Sequence, residues 1–394
     1  MSLPSLDDLE VNGKRVLVRV DFNVPLKDGK VVDPMRINAA LPTIRRLLDG
    51  GATVILCSHL GRPKGQVDPK YSLEPVARAL ADMLGKPVRL TEAANGPAED
   101  LEGMAPGDVA LLQNLRYDPR EEANDPAFAQ ELASLADAYV CDAFGAVHRA
   151  HASVAGVPAL LPSAAGLLLH KEVEVLSTLM TKPQRPFVVV LGGSKVSDKL
   201  GIVKNLLTKA DNILIGGAMA NTFLAAKGHD VGKSRIEADR LEEVKGVLKS
   251  AEENGVQMGL PDDVVVAKEF SEDAEGTAVE VDQIPADSMA LDIGPSTVYR
   301  FSEWIRVAKT ILWNGPMGVF EWPAFEAGTR EVAKLVAGAE AFTVVGGGDS
   351  AAALAQFGLE EGVDHLSTGG GASLEYLEGR VLPGVAALMK GQNR

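Results

Sequence analysis

Short runs of β-branched and aliphatic residues alternate with longer segments of helical periodicity along the whole chain, and this alternation leaves few folds open. Such a repeat buries its apolar faces when the strands lie parallel and crossover helices cover the sheet. Strands are predicted at 15–21, 53–58, 87–90, 109–113 and 138–142 in the first half, and at 187–191, 212–215, 263–267, 310–313, 342–345 and 365–367 in the second. At 394 residues, 46% of them apolar, the chain exceeds the length at which a single core usually keeps growing. The expected fold class is α/β, with two doubly wound parallel-sheet, Rossmann-like domains.

Between the two halves, Ser163 reads as a helix cap followed by apolar residues at helical spacing up to Met180. The segment lacks the Gly/Ser or Pro-rich composition of a flexible tether, so the predicted connector is a helical hinge. Domains are expected over 1–168 and 169–380.

Charge narrows the function. The 39 basic and 54 acidic residues give a formal charge of −15. Neither half is basic: residues 1–170 carry 17 basic and 22 acidic side chains, and the remainder 22 and 32. Broad binding to nucleic acid or to an anionic membrane is excluded, and any anion site must be a local cluster. The N-terminal segment has no basic start or apolar signal core, and no stretch of about 18 apolar residues occurs, so a soluble cytoplasmic protein is expected. Cys57 and Cys141, the only cysteines, lie inside apolar runs and read as buried hydrophobes in a reducing compartment.

In open parallel sheets ligands bind beyond the carboxyl ends of the strands. In the first half those ends carry cations. Asp21 and Asn23, with Arg36 shortly after, follow one strand; His59 and Arg62 follow the next; Arg116 follows another; and His148, Arg149 and His151 follow the last. Arginine presents a planar fork matched to phosphate and carboxylate, so the cluster suits a small polyanion. His148 and His151 have no carboxylate or thiolate at ligand spacing beside them, which favours anion contact or structural hydrogen bonding over a metal.

In the second half the strand ends carry glycine. Two apolar runs each enter three consecutive glycines and then a helix-like segment, at Gly346–Gly348 and at 369–371. Glycine admits a close ligand, and the free N–H groups of a helix start favour an anion, so this half is expected to hold phosphate. Asp349 supplies a carboxylate for Mg²⁺. Gly192 and Gly193 precede Lys195 and Lys199, which, placed at a helix start, would share one face and meet the phosphates of one nucleotide. Gly216 and Gly217 form another such turn. A further turn holds Asn314 and Pro316, with Asn314 in reach of phosphate and Glu321 of a ribose hydroxyl. The Gly228–Ser234 segment resembles a Walker A loop but has one residue too few between its glycines and no strand before it, and the dinucleotide fingerprint is missing.

Taken together, the segments 20–25, 58–63, 142–145 with 148–153, 192–196, 313–318 and 346–350 resemble phosphoglycerate kinases, in order and over essentially the whole chain. The resemblance implies that Asp21, Asn23, Arg36, His59, Arg62, Arg116 and Arg149 hold 3-phosphoglycerate or 1,3-bisphosphoglycerate. It also implies that Lys195, Lys199, Gly216, Gly217, Asn314, Pro316, Glu321 and Gly347, Gly348, Asp349 and Ser350 hold ADP or ATP, with Mg²⁺ at Asp349. A monomer is expected, with the C-terminal tail 381–394 folding back on the first domain. Ser296 stands where the family often has lysine, and Met35 and Ser194 are smaller departures.

The implied reaction moves a phosphoryl group between 1,3-bisphosphoglycerate and ADP, a step of glycolysis and gluconeogenesis, in line and after hinge closure. Its nucleophiles are ionised at neutral pH, so no general base is required, and none is poised beside a nucleophile. Arg36, Lys195, Mg²⁺ and the amides around Gly370 and Gly371 are expected to cancel charge at the transferring group. A nicotinamide dehydrogenase and a hinged phospho-metabolite binding protein are the competing readings.

Overall fold

The structure is a computed structural model that describes residues 3–391. Residues 392–394 of the predicted tail lie outside the described residues. The chain divides into two compact units, one of Met1–Glu174 with Val381–Arg394 and one of Val175–Arg380, the division falling inside the helix Leu167–Thr181.

The first unit is built on a six-stranded sheet. Its strands are β1 Arg15–Val20, β2 Thr53–Cys57, β3 Val88–Leu90, β4 Val109–Leu111, β5 Ala138–Asp142 and β6 Ser163–Ala165, in the spatial order β3-β4-β2-β1-β5-β6. All neighbours pair parallel. The central strands are apolar on both faces because both are covered, so alternation with polar residues is not needed. Val16, Val18 and Val20 of β1 meet Ile37, Ile44 and Leu47 of the helix Met35–Asp49 and Val76 and Leu80 of the helix Glu74–Leu84. Each fully buried side chain of this kind contributes roughly 1.5–3 kcal/mol. The helix Pro383–Gly391 also belongs to this unit, with the Gly384 N–H donating to the Val147 carbonyl at 2.9 Å.

The second unit repeats the plan. Its strands are β7 Phe187–Leu191, β8 Asn212–Ile215, β9 Gln257–Gly259, β10 Thr310–Asn314, β11 Phe342–Gly346 and β12 His365–Leu366, in the order β9-β8-β7-β10-β11-β12. All are parallel. The order reverses between β7 and β10, which opens a crevice beyond their carboxyl ends.

Several elements differ from expectation. Ser163–Ala165 is the edge strand β6, with Tyr139 opposite Ser163, and the helix begins at Leu167 instead of Ser163. Its cap is distant in sequence: the Asp142 carboxylate accepts from the N–H groups of Leu168 at 2.9 Å and Leu169 at 3.2 Å. The predicted strand at 263–267 forms, but in a separate antiparallel sheet between Thr277–Glu280 and Met289–Ile293. The place at the parallel sheet's edge is taken by β9, whose three residues are too few to carry a periodic signal. No helix among the described residues is long and apolar enough to cross a membrane.

Candidate active site

On the first unit, the loops after β1, β2, β4 and β5 hold the predicted cations. The Phe22 N–H donates to Ser58 Oγ at 2.8 Å, and Asn23 Oδ1 accepts from the Gly61 N–H at 2.9 Å, so the first two loops are tied together. Arg36, in the first turn of the helix Met35–Asp49, places Nη1 2.8 Å from Asp21 Oδ2, with 29% of its side chain exposed. Arg116 donates to the Gly61 carbonyl at 2.8 Å and lies 3.2 Å from Glu122. Arg62 and Arg149 are exposed, and their side chains have no hydrogen-bond or ion-pair partner among the described residues.

These groups feel one another. Burial, then Arg19, Arg116, Arg36 and His151, hold the His59 ring well below the usual histidine range. Burial, followed by Arg19, Arg116, Arg149 and His148, lowers His151 to about 4. Both rings are therefore neutral at pH 7, and the arginines carry the positive charge. Desolvation by burial is also the main influence lowering Arg116, with Arg62 among the neighbouring charges.

Sequence reasoning missed what lies beneath. Arg19 of β1 is 1% exposed. Its Nε donates to Ser153 Oγ at 2.8 Å, and Ser153 Oγ in turn donates to Glu121 Oε1 at 2.6 Å while the Ser153 N–H donates to Oε2 at 2.9 Å. Glu121 and Ser153 are completely buried. The detectable signal was a lone charge inside the apolar run of β1, because an arginine is rarely fully buried without a partner. Cys57 and Cys141 flank Arg19 on the neighbouring strands and are fully buried. Burial pushes the Cys57 thiol up to about 12.

On the second unit, the turns after β7, β8 and β10 meet backbone to backbone. The Gly193 N–H donates to the Pro316 carbonyl at 3.0 Å and the Gly217 N–H to that of Met317 at 2.8 Å. A Cβ on Gly192 would sit 2.0 Å from the Pro316 carbonyl oxygen, so this glycine is required by the approach of two loops. Gly216 is buried behind Met317, whose sulfur would lie 2.4 Å from an added Cβ, and lines neither cavity described below. At Gly192 and Gly216 the glycine is required by packing, while Gly192, Gly193 and Gly217 also line the cavities described next.

The later glycine runs behave otherwise. Gly347, at φ 92°, caps the helix Gly348–Phe357, and Gly370, at φ 50°, precedes the helix Gly371–Leu377. Nothing lies within 4 Å of a Cβ built on Gly348 or Gly370. They line a cavity of about 630 Å³ with Lys195, Lys199, Asn314, Gly347, Asp349, Ser350 and Gly371. An apolar cavity of about 480 Å³, lined by Gly217, Phe270, Leu291, Pro316, Val319 and Glu321, shares Gly193, Ser194 and Asp349 with it. Lys233, from the segment discarded as a Walker loop, is also on this second wall.

The helix after β7 starts at Leu200, so Lys195 and Lys199 are not on a helical face as expected; both lie in the preceding turn. That turn still brings them to the same cavity. Lys199 Nζ donates to Asn314 Oδ1. Burial lowers Lys199 to about 8, against the opposing pull of Asp198, Asp349 and Glu378. Asn314 lines this cavity and is 1% exposed, and its Nδ2 is buried without a hydrogen-bond partner among the described residues. A buried donor left unpaired costs about 1–3 kcal/mol, which an anionic ligand oxygen would recover. Ser350 Oγ accepts from the Gly315 N–H at 2.7 Å and fixes the turn that carries Asn314.

A polar cavity rimmed by lysines and helix-start amides, sharing wall residues with an apolar one, matches the two ends of a nucleotide. Comparison with known proteins agrees. The family model described as phosphoglycerate kinase matches residues 6–380. The chain is similar to the phosphoglycerate kinase of Moorella thermoacetica, 55% identical over 98% of this chain and 99% of that one. It is also similar to that of Thermomicrobium roseum, 56% identical over 97% and 98%. The solved phosphoglycerate kinase of Coxiella burnetii superposes with a TM-score of 0.91 at 42% identity, covering 98% of this chain and 99% of that one. That of Pyrococcus horikoshii OT3 superposes with a TM-score of 0.83 at 34% identity, covering 99% and 100%. With two cavities fit for a nucleotide on one unit, an arginine cluster on the other and this similarity over nearly its whole length, the chain belongs to the phosphoglycerate kinase family.

Proposed function

We propose that the chain transfers a phosphoryl group reversibly between 1,3-bisphosphoglycerate and ADP, yielding 3-phosphoglycerate and ATP, as a cytoplasmic monomer. As a member of this family it is a kinase, which sets aside the dehydrogenase and the binding protein. The phosphoglycerate domain is assigned to the first unit, where Arg36, Arg62, Arg116 and Arg149 supply charge and Asp21, Asn23 and His59 orient the ligand. Mg-nucleotide is assigned to the second. The observation that carries this reading is that Asn314, whose Nδ2 is a buried donor without a partner among the described residues, lines one cavity with Lys199 and the helix-start glycines Gly348 and Gly371.

Asp349, an exposed carboxylate in the first turn of its helix and on the walls of both cavities, fits Mg²⁺ bound mainly through nucleotide phosphates. Magnesium commonly needs only one or two protein carboxylates when phosphates supply other ligands. When bound it neutralises phosphate charge. The chain's own residues do the rest: Lys195 and the Gly370 and Gly371 amides face the nucleotide phosphates, and Arg36 faces the carboxyl end of phosphoglycerate. No proton need move, since carboxylate and phosphate nucleophiles are already ionised at pH 7. In-line transfer requires the two bound substrates to meet, and the helix Leu167–Thr181 is the proposed hinge.

The test couples ATP and 3-phosphoglycerate to a dehydrogenase that reduces the acyl phosphate. NADH oxidation that needs both substrates, this chain and the coupling enzyme is expected. Its absence with folded protein contradicts the proposal.

Lys199 gives a separate prediction. Its value of about 8 in the free protein should rise when phosphates bind, since an anion favours the charged form. Binding of ADP near pH 8 is therefore expected to take up about half a proton, falling toward zero below about pH 6.5, where the lysine is already charged. Titration calorimetry in buffers of different ionisation enthalpy measures this, and Lys199→Met should abolish it.

A further inference from the structure

We propose that Arg19 is a positioning residue that makes His59 a neutral, one-way hydrogen-bond donor, with its proton on Nε2. Arg19 Nη2 lies 3.1 Å from His59 Nδ1. A guanidinium has five N–H donors and no acceptor, and it stays charged. Only an unprotonated Nδ1 can accept from it, so the ring proton must reside on Nε2. The other Arg19 groups are committed: Nε to Ser153 Oγ at 2.8 Å, and Nη1 to the Val20 carbonyl. The guanidinium is 1% exposed on a central strand, and Glu121 behind Ser153 balances its charge, so it cannot swing toward solvent.

The charged groups around His59 act in the same direction. Burial first, and then the Arg19, Arg116 and Arg36 charges, disfavour a second ring proton. His59 is 7% exposed. What it offers a ligand is then one N–H that keeps its direction as pH changes, while the arginines supply the charge. An imidazolium there would add a charge whose presence varied near neutral pH. The effect on substrate rests on the proposed phosphoglycerate site; the proton assignment rests on geometry alone.

The experiment uses the full chain labelled with ¹⁵N-histidine. Without ligand, the His59 ring is expected to give the signature of a neutral Nε2–H imidazole from about pH 5.5 to 8, a range in which an ordinary histidine titrates. Arg19→Met would strand the buried Glu121, so the variant is Arg19→Met/Glu121→Gln, with Glu121→Gln as control. The control should keep the parent His59 spectrum. The double variant should show both neutral tautomers or a titrating ring, and its KM for 3-phosphoglycerate should rise roughly tenfold or more, the weight of one hydrogen bond to a charged group. In a His59→Gln background, where the donor cannot tautomerise, adding Arg19→Met/Glu121→Gln should cost little more. Overturning results are an imidazolium or Nδ1–H ring in the parent at pH 7, an unchanged spectrum in the folded double variant, or fully additive losses. The expected spectra with a KM indifferent to His59→Gln would uphold the role of Arg19 toward His59 and refute the place of His59 in the substrate site.

Discussion

Arg36→Ala is expected to lower kcat by about 10²–10⁴ while the protein keeps its cooperative thermal transition, the range seen when a key charge stabiliser is removed. Arg36 is well placed for that role. It stands at a helix start, is only partly exposed, and is held by the 2.8 Å contact with Asp21. A rival view gives it the single task of neutralising Asp21, a carboxylate that is 7% exposed. The two views separate in the double variant Asp21→Asn/Arg36→Ala, which leaves no unpaired acid. If Arg36 acts on the reacting groups, the double variant stays as slow as Arg36→Ala. Steady-state kinetics that find kcat within about threefold of the parent in either variant would remove Arg36 from the chemistry.

Asp349→Asn is expected to weaken Mg-ADP binding by roughly 10–100-fold, or about 1.4–2.8 kcal/mol, while leaving 3-phosphoglycerate binding within about twofold. The side chain is exposed, so little folding energy depends on it. Its loss should matter most with magnesium present, because metal-free ADP gains from losing a nearby negative charge. Calorimetry with and without Mg²⁺ reads both effects. Equal weakening of both substrates would place Asp349 in a structural role.

What the sequence could reveal follows from how local each signal is. The strand-to-glycine turns at Gly347 and Gly370 were legible because an apolar run, a positive-φ residue and a helix start are neighbours in the chain. The strand-end arginines were legible through the rule that parallel strands present their carboxyl ends along one edge. Elements set by distant partners were not. Ser163 resembled a helix cap, but its segment pairs with β5, and the true cap of the next helix comes from Asp142, over twenty residues away. Gly216 read as a nucleotide contact because the reason for its glycine, the side chain of Met317, lies about a hundred residues on. The spacing of Lys195 and Lys199 assumed a helix that begins only at Leu200. The chain Arg19, Ser153, Glu121 was hidden most deeply, since its members come from three separate elements.

The central claim is that each unit holds its own anionic substrate, one through arginine forks and the other through glycine amides with a lysine and a buried amide. A crystal structure with 3-phosphoglycerate and Mg-ADP bound tests it most directly. The expected result is phosphoglycerate on Arg36, Arg62, Arg116 and Arg149, and ADP phosphates within hydrogen-bond reach of Asn314 Nδ2 and the Gly347–Ser350 turn. Both ligands on one unit, or ADP phosphates bound away from Asn314, would contradict it.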